Sequence, residues 1–200
     1  MHYVTFGLLG QHRHDTAFHQ YLRLRKRYFV DVLGWDIPHD ADVEMDQYDN
    51  PCAHYALVLR DSTVIGGARM MPTTASWGRY SYMLRDALLG EIDIPPHVVS
   101  EEIVSREVWE CTRLVVSADL GTQAERVECL SLILCGCGDL LRENGGSEVV
   151  SLSPVLMLRT LRQLGYAARR VGEPYCETDG RRYAMLRTPA LAPAYSIAAE

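Results

Sequence analysis

Three groups of charged side chains stand where apolar residues would be expected. Arg25 falls in the apolar stripe of a predicted helix, one turn before Phe29. The segment 44–49 reads E-M-D-Q-Y-D, and the segment 109–113 reads W-E-C-T-R within a predicted central strand. Arginines and carboxylates that pair with one another offset the free-energy cost of burying them. A paired cluster of this kind in a cleft is a candidate catalytic site, because the pKa values of its members are perturbed.

Each group has an ordinary explanation when it is taken alone. The stem of Arg25 can pack among apolar neighbours while its head reaches solvent, and acids in a loop usually face water. Glu110 and Arg113 are three positions apart, so on a regular strand they point to opposite faces. The two can face one pocket if the strand contains a bulge between them. The case for a site therefore rests on all three groups together.

Hydrophobic periodicity predicts the elements that carry these groups. Helices are predicted from Asp15 to Leu33, at 122–144, and from Pro154 to Leu164; the apolar stripe of the first is Phe18, Leu22, Phe29 and Val32. Strands are predicted at 2–8, 55–59, 63–71, 108–117, 149–152, 166–171 and 182–187, and short helical turns at 83–89 and 100–107. A strand–helix–strand–helix unit flanked by hairpins indicates an α/β fold with a mixed sheet.

Composition argues against several classes of protein. The 200 residues carry a net charge of −6, which argues against a general nucleic-acid binder. No run approaches the roughly 20 apolar residues of a transmembrane helix, and the N-terminus does not read as a secretory signal. We therefore expect a cytoplasmic protein without membrane association. The six cysteines form no C-x-x-C pair and the seven histidines are scattered, so we predict reduced thiols and no metal site.

The spacing R-x-x-x-F, W, E-x-D-x-Y-D, G-x-R and W-E-x-x-R resembles that of the LuxI-type acyl-homoserine-lactone synthases. The matching residues are Arg25, Phe29, Trp35, Glu44, Asp46, Asp49, Arg69, Glu110 and Arg113. The resemblance implies one autoinducer-synthase domain, residues 1–200, with a substrate-binding arm at about 15–50 and an acyl-transfer core at about 55–187. It also implies an N-acetyltransferase-like three-layer αβα sandwich, whose mixed central sheet is split in a V.

The resemblance further implies a reaction between two substrates. The amine of S-adenosylmethionine is acylated from a thioester, carried by acyl carrier protein or by coenzyme A. Ring closure then releases methylthioadenosine and gives an acyl-homoserine lactone, a quorum-sensing signal. S-adenosylmethionine is a substrate here, so no cofactor is expected.

Site roles follow from the resemblance and from the chemistry each residue type can do. The catalytic candidates are Glu110 as general base, Asp46 as the competing base, and Arg113. The candidates for binding S-adenosylmethionine are Arg25, Phe29, Trp35, Asp49 and Arg69, and those for the acyl pocket are Ser151, Met83, Leu152 and Met157. The hydroxyl of Ser151 could bond an oxygen on the third acyl carbon, or it could be a buried hydroxyl bonded to backbone.

Two other functions remain open at this point. The main alternative is an acyl-CoA N-acyltransferase of similar fold that acts on another amine, and the second is a non-catalytic sensor. The pyrophosphate loop of the acetyltransferases is absent after Val116, where residues 118–123 read A-D-L-G-T-Q. This absence favours carrier protein over coenzyme A as donor. Arginines in the C-terminal half could form the docking face for an acidic carrier protein, namely Arg142, Arg159, Arg162, Arg169 and Arg170.

Overall fold

A single mixed sheet positions the charged segments. The computed structural model describes residues 1–14, 16–99, 101–177 and 179–190, and within them seven strands pair in the order β1-β2-β3-β4-β5-β7-β6. The strands are β1 His2–Gly7, β2 His54–Arg60, β3 Thr63–Pro72, β4 Val108–Val116, β5 Glu148–Pro154, β6 Arg169–Cys176 and β7 Arg182–Pro189.

The split in the sheet lies between β4 and β5. These two strands run parallel, and they pair from Val108 with Glu148 to Glu110 with Val150. Beyond that point β4 continues to Val116 and β5 to Pro154, but in the described residues these two strands no longer pair with each other. The predicted V-shaped split is confirmed, and it opens the sheet directly beyond Glu110.

Helices cover both faces of the sheet. They are α1 Ala17–Arg25, a π-helix Lys26–Val32 that continues it, α2 Met83–Leu88, α3 Gln123–Glu143 and α4 Val155–Gln163. Two adjacent glycines of β3 let helices approach from opposite sides. A Cβ on Gly67 would lie 3.0 Å from the ring of Tyr21 in α1, and one on Gly66 would lie 2.6 Å from Sγ of Cys129 in α3. The three-layer arrangement predicted from the sequence is therefore confirmed.

The first helix differs from its prediction in its second half. Asp15, its predicted start, lies outside the described residues, and the α-helix gives way to the π-helix after Arg25. The placement of Val32 in the buried stripe is wrong, because this side chain is 65% exposed. A π-helix hydrogen-bonds one residue further along than an α-helix, which rotates later residues off the buried face. Phe29 stays buried.

Tertiary contacts correct two other predictions, one of a helical turn and one of a helix boundary. The helical turn predicted at 100–107 is wrong over the described residues 101–107, and Ser100 lies outside the described residues. Hydrogen bonds with Thr73 hold Ser105 beside the end of β3: the Thr73 hydroxyl donates to its carbonyl at 2.9 Å and accepts from its N–H at 3.0 Å. The fourth helix begins at Val155, because Pro154 still pairs with Tyr183 as part of β5.

The sheet has an apolar core on each face. Phe18, Tyr55 and Leu57 belong to the core beneath α1, and Val58 and Ile133 belong to the one beneath α3. Among the described residues, none of the helices has both the length and the apolar composition needed to span a bilayer.

Candidate active site

A bulge in β4 brings Glu110 and Arg113 to the same side of the sheet. Gly67 of β3 pairs with Val115 and Arg69 pairs with Thr112, so β4 contains one extra residue between these two pairs. The backbone accommodates the extra residue at Arg113, whose φ of 53° is a left-handed conformation. This conformation costs free energy in a residue other than glycine. The bulge is the feature the spacing required. It turns the guanidinium of Arg113 toward the acidic segment 44–49.

Arg25 is held by two carboxylates from that segment. Its Nε donates to Glu44 at 2.6 Å, and its two terminal nitrogens donate to Asp49 at 2.8 and 2.9 Å. The side chains of all three residues are fully buried. The hydroxyl of Tyr55 also donates to Asp49, at 2.8 Å. Burial of the charge on Arg25 is therefore offset by a two-point ion pair and a second acid.

Asp46 receives the other two arginines. Arg69 donates to its two oxygens at 2.5 and 3.2 Å, and Nη2 of Arg113 donates at 2.7 Å. Nε of Arg113 also lies 3.2 Å from Glu44, which links this half of the cluster to Arg25. Three arginines and three carboxylates thus balance in charge, and each side chain is at most 9% exposed. We call these six residues the ion cluster.

The ion cluster keeps two of its acids, Asp46 and Asp49, ionised. Burial alone would raise the pKa of Asp49, but the positive charges of Arg69 and Arg25 outweigh it and hold the pKa well below its ordinary value. Burial also acts to raise the pKa of Asp46, but the charges of Arg69 and Arg113 lower it below its ordinary value. A carboxylate with so low a pKa is a weak proton acceptor near neutral pH.

Glu110 has the opposite electrostatic character. It is 2% exposed, and its carboxylate accepts the backbone N–H of Met83 at 2.9 Å and of Leu84 at 2.7 Å. Burial raises the pKa of Glu110 to about 7, against the lowering effect of those two hydrogen bonds and of Arg69. A carboxyl with this pKa exchanges its proton in the neutral range, as a general base should.

A cavity of about 860 Å³ passes through the split in the sheet. Its wall includes residues from the α1 face, such as Phe29 and Met83, and residues from the opposite face, such as Cys137 and Leu161. It therefore joins a charged and aromatic region to an apolar one. Such a cavity can hold a polar substrate and an acyl chain end to end.

The predicted site residues divide into two sets by their relation to this cavity. Eight lie on its wall: Phe29, Trp35, Asp46, Met83, Arg113, Ser151, Leu152 and Met157. Four lie buried behind the wall: Arg25, Asp49 and Arg69 in the ion cluster, and Glu110 beneath Met83. The buried set holds the wall residues in place rather than contacting the cavity itself.

An aromatic chain along the cavity includes residues that the sequence did not single out. The rings of Phe29 and Trp35 stack with centroids 5.0 Å apart, and Trp35 meets Tyr183 edge-on at 5.9 Å. Tyr183 in turn lies 6.1 Å from Tyr175, its register partner on the β6–β7 hairpin. The strand predicted at 166–171 ends before Tyr175, so the pairing of this residue with Tyr183 could not be predicted from the sequence. The ring of Phe29 also faces the guanidinium of Arg113 at 5.6 Å.

The apolar region contains a pair of hydroxyls. Oγ of Ser151 lies 2.9 Å from Oγ of Ser153, and both residues line the cavity. The partner of Ser151 is therefore a neighbouring hydroxyl, and not the backbone group expected if Ser151 were an ordinary buried serine. One hydrogen of the pair remains to be donated elsewhere, because each hydroxyl can donate once.

Acidic side chains lie in the loop and first turn that begin α3, where the acetyltransferases have their pyrophosphate loop. Asp119 accepts a hydrogen bond from Arg27 at 2.6 Å, and Thr122 and Glu125 form a reciprocal capping box at the helix start. The arginines proposed for docking lie elsewhere, and all five are exposed: Arg142 on α3, Arg159 and Arg162 on α4, and Arg169 and Arg170 on β6. Among the described residues, no three His, Cys, Asp or Glu side chains come together as potential metal ligands.

Comparison with known sequences places the chain among autoinducer synthases. The family model described as autoinducer synthase matches residues 10–190. The acyl-homoserine-lactone synthase of Acinetobacter baumannii is 30% identical over 169 residues, covering 80% of this chain and 83% of that protein. The acyl-homoserine-lactone synthase of Aeromonas hydrophila is 28% identical over 173 residues, covering 84% and 78%.

Solved structures share the fold. The CoA-dependent acyl-homoserine lactone synthase BjaI, in complex with SAM and isopentyl-CoA, is similar with a TM-score of 0.74 and 19% identity, covering 94% of this chain and 82% of that one. TofI, in a ternary complex with an inhibitor and MTA, gives a TM-score of 0.71 and 24% identity, covering 95% and 92%. An acyl-CoA N-acyltransferase from Pseudomonas aeruginosa gives 0.56 and 14%, covering 92% and 97%.

Proposed function

The chain belongs to the autoinducer synthase family, and we propose that it is an acyl-homoserine-lactone synthase. In this reaction the amine of S-adenosylmethionine attacks an acyl thioester, and ring closure then releases methylthioadenosine. The observation that carries the proposal is the cavity through the split sheet, which joins Asp46, Arg113 and the aromatic chain to an apolar compartment. We also propose that the arm at about 15–50 and the core at about 55–187 act as one domain, since Arg25 and Arg113 share Glu44.

We assign the role of general base to Glu110. The α-amine of the substrate has a pKa near ~8 and must lose a proton before it attacks. Asp46 lies on the cavity wall, but its lowered pKa makes it a weak acceptor, whereas the pKa of Glu110 is about 7. Because Glu110 lies behind Met83, the proton reaches it through water. Asp46 then orients the amine and keeps Arg113 in place.

The charged and aromatic end of the cavity fits S-adenosylmethionine. Its sulfonium is a cation, and the faces of Phe29, Trp35 and Tyr183 attract cations. Its carboxylate needs a fork-shaped donor, and Arg113 is the arginine of the ion cluster that reaches the cavity wall. Arg25, Arg69 and Asp49 support this end from behind.

The acyl chain fits the apolar end. Met157 supplies apolar wall at that end, Met83 and Leu152 supply apolar wall nearer the α1 face, and the Ser151–Ser153 pair supplies a donor for an oxygen on the chain. Beyond Glu110, the edge of β4 that faces β5 is unpaired over the described residues, so its N–H groups can donate to the oxyanion of the reacting thioester. Ring closure needs chiefly positioning, because the sulfonium is already a good leaving group.

Carrier protein is the donor we favour over coenzyme A. Asp119 and Glu125 sit in the loop and first turn that begin α3, where their charges repel a pyrophosphate. The exposed arginines of α4 and β6 offer a basic surface to an acidic carrier. A cytoplasmic location stays a prediction of the sequence.

The test is a reconstitution with defined substrates. Purified protein is incubated with S-adenosylmethionine and matched acyl-carrier-protein and acyl-CoA series, and methylthioadenosine and lactone are measured by chromatography and mass spectrometry. We expect methylthioadenosine release that requires the thioester, with the carrier-protein series faster. No release at any chain length contradicts the proposal. Acylation of another amine without methylthioadenosine supports the N-acyltransferase alternative.

A further inference from the structure

Asp86 is a buried acid of α2 that the reaction described above does not use. It is 1% exposed, and it accepts hydrogen bonds from the hydroxyl of Tyr48 at 3.0 Å and from that of Ser81 at 2.5 Å. The backbone N–H of Ser81 also lies 3.2 Å from it. Asp86 therefore links Ser81, the residue before the N-cap of α2, to Tyr48 in the acidic segment 44–49. Tyr48 lies between Asp46 and Asp49 in that segment.

The first turn of α2 depends on acceptors from elsewhere in the chain. Tyr82, its N-cap residue, makes no side-chain cap hydrogen bond within the described residues, and Glu110 instead accepts the N–H groups of Met83 and Leu84. A helix of six residues is too short to be stable by itself. The position of these two N–H groups is thus set by contacts from outside the helix, and Asp86 makes one with the distant Tyr48 and two with the neighbouring Ser81.

We infer that Asp86 is a positioning residue, which holds the first turn of α2 so that the N–H groups of Met83 and Leu84 meet the Glu110 carboxylate. The inference rests on the proposed function, in which Glu110 is the base. Tyr48 extends the same support to the ion cluster, because its ring lies 5.5 Å from the guanidinium of Arg69.

The groups that face Glu110 act in opposite directions on its pKa. The N–H groups of Leu84 and Met83 lower it most, the charge of Arg69 on β3 lowers it further, and the charge of Asp86 on α2 raises it. The side chains of Tyr82, before α2, and of Tyr48, in the acidic segment, interact electrostatically with the same carboxyl. Loss of the two N–H bonds therefore raises the pKa of Glu110, whereas mere loss of the Asp86 charge lowers it.

Because these two effects shift the pKa of Glu110 in opposite directions, an experiment on the full-length protein can distinguish them. Asp86→Asn and Tyr48→Phe are compared with the wild type in the pH profile of methylthioadenosine release and in an NMR titration of the Glu110 carboxyl carbon, assigned with Glu110→Gln. Glu102→Gln is the matched control, because Glu102 pairs with Arg85 on the exposed side of α2. We expect the acid limb and the NMR titration to move up by about half a pH unit or more in Asp86→Asn.

The expected result is a smaller shift in the same direction for Tyr48→Phe and none for Glu102→Gln. A folded Asp86→Asn variant that titrates at the wild-type pH, or below it, overturns the inference, since a purely structural or purely electrostatic role would give those results. If Asp86→Asn does not fold, an unshifted NMR titration in folded Tyr48→Phe overturns it. Inactive wild-type protein would contradict the proposed function, while the NMR titration would still decide the role of Asp86.

Discussion

The guanidinium of Arg25 and the carboxylate of Asp49 form a two-point ion pair, at 2.8 and 2.9 Å, in which both side chains are fully buried. The pair joins the end of α1 to the acidic segment 44–49. It holds that segment close to β3 and β4, so that Asp46 can accept hydrogen bonds from Arg69 and Arg113. The geometry of the cavity wall therefore depends on a contact that lies outside the cavity.

Removal of Arg25 should destabilise the whole protein. Arg25→Met leaves Glu44 and Asp49 with one fewer partner in a buried site, and breaking such a pair costs about 3–5 kcal/mol. Arg27→Met is the matched control, because its pair with Asp119 is largely exposed and such pairs are worth about 1 kcal/mol or less. Urea unfolding measures both. Equal, small losses would contradict the structural importance of the pair.

The rate of acyl transfer should depend on the ionisation of Glu110. We expect the rate to rise with pH through a midpoint near the pKa of about 7 that burial gives Glu110. Glu110→Gln should lower the rate by about 10²–10⁴-fold and remove this limb, because the base is lost. Glu107→Gln, an exposed neighbour, serves as the control. A limb that persists in Glu110→Gln with its rate nearly intact would assign the proton to another group.

Stability should also report on Glu110. Its pKa is raised by folding, so its contribution is fully present below the ordinary value of 4.5 and is lost as pH rises through about 7. The loss is on the order of 3 kcal/mol, from a shift of roughly two units or more. Between pH 5 and 8, wild type should lose more stability than Glu110→Gln, as measured by urea unfolding at each pH. Parallel curves for the two proteins would show that Glu110 has an ordinary pKa.

The aromatic chain should matter for the cationic substrate. Replacement of Trp35 by leucine removes its contacts with Phe29 and Tyr183, and loss of a cation–π face weakens binding by about 0.5–2 kcal/mol. Calorimetry with S-adenosylmethionine and with its neutral analogue S-adenosylhomocysteine measures the effect. We expect the preference for the cation to fall. Trp77→Leu, at an exposed tryptophan, should leave both affinities unchanged, and an equal loss for both ligands in Trp35→Leu would indicate packing alone.

The hydroxyl of Ser151 should select for an oxygen on the acyl chain. Ser151→Ala removes the partner of Ser153 on the cavity wall, and one hydrogen bond is worth about 1 kcal/mol, or roughly fivefold. The measurement is the ratio of kcat/KM for 3-hydroxy and unsubstituted thioesters of equal length. We expect the ratio to fall in Ser151→Ala and to stay constant in Ser131→Ala, whose hydroxyl bonds the helix backbone. An unchanged ratio in Ser151→Ala would remove this residue from chain selection.

The amino-acid sequence by itself determined the order of the strands and identified the charged residues from which the ion cluster is drawn. Periodicity reports local burial, so a charged residue in an apolar stripe, such as Arg25, stands out. The three-residue spacing of Glu110 and Arg113 required a bulge, and β4 has one. Helix α3, predicted at 122–144, runs from Gln123 to Glu143 with Thr122 as its N-cap.

Tertiary structure decided what each charged residue does. Arg25 and Glu44 are 19 positions apart and Arg113 and Glu44 are 69 apart, so no local pattern encodes these pairings. The difference in pKa between Asp46 and Glu110 has the same origin, because burial raises the pKa of both carboxyls but only Asp46 is paired with arginines whose charges outweigh that effect. Sequence spacing identifies charged residues that need partners, but burial and distance, which determine their pKa values, exist only once the chain has folded.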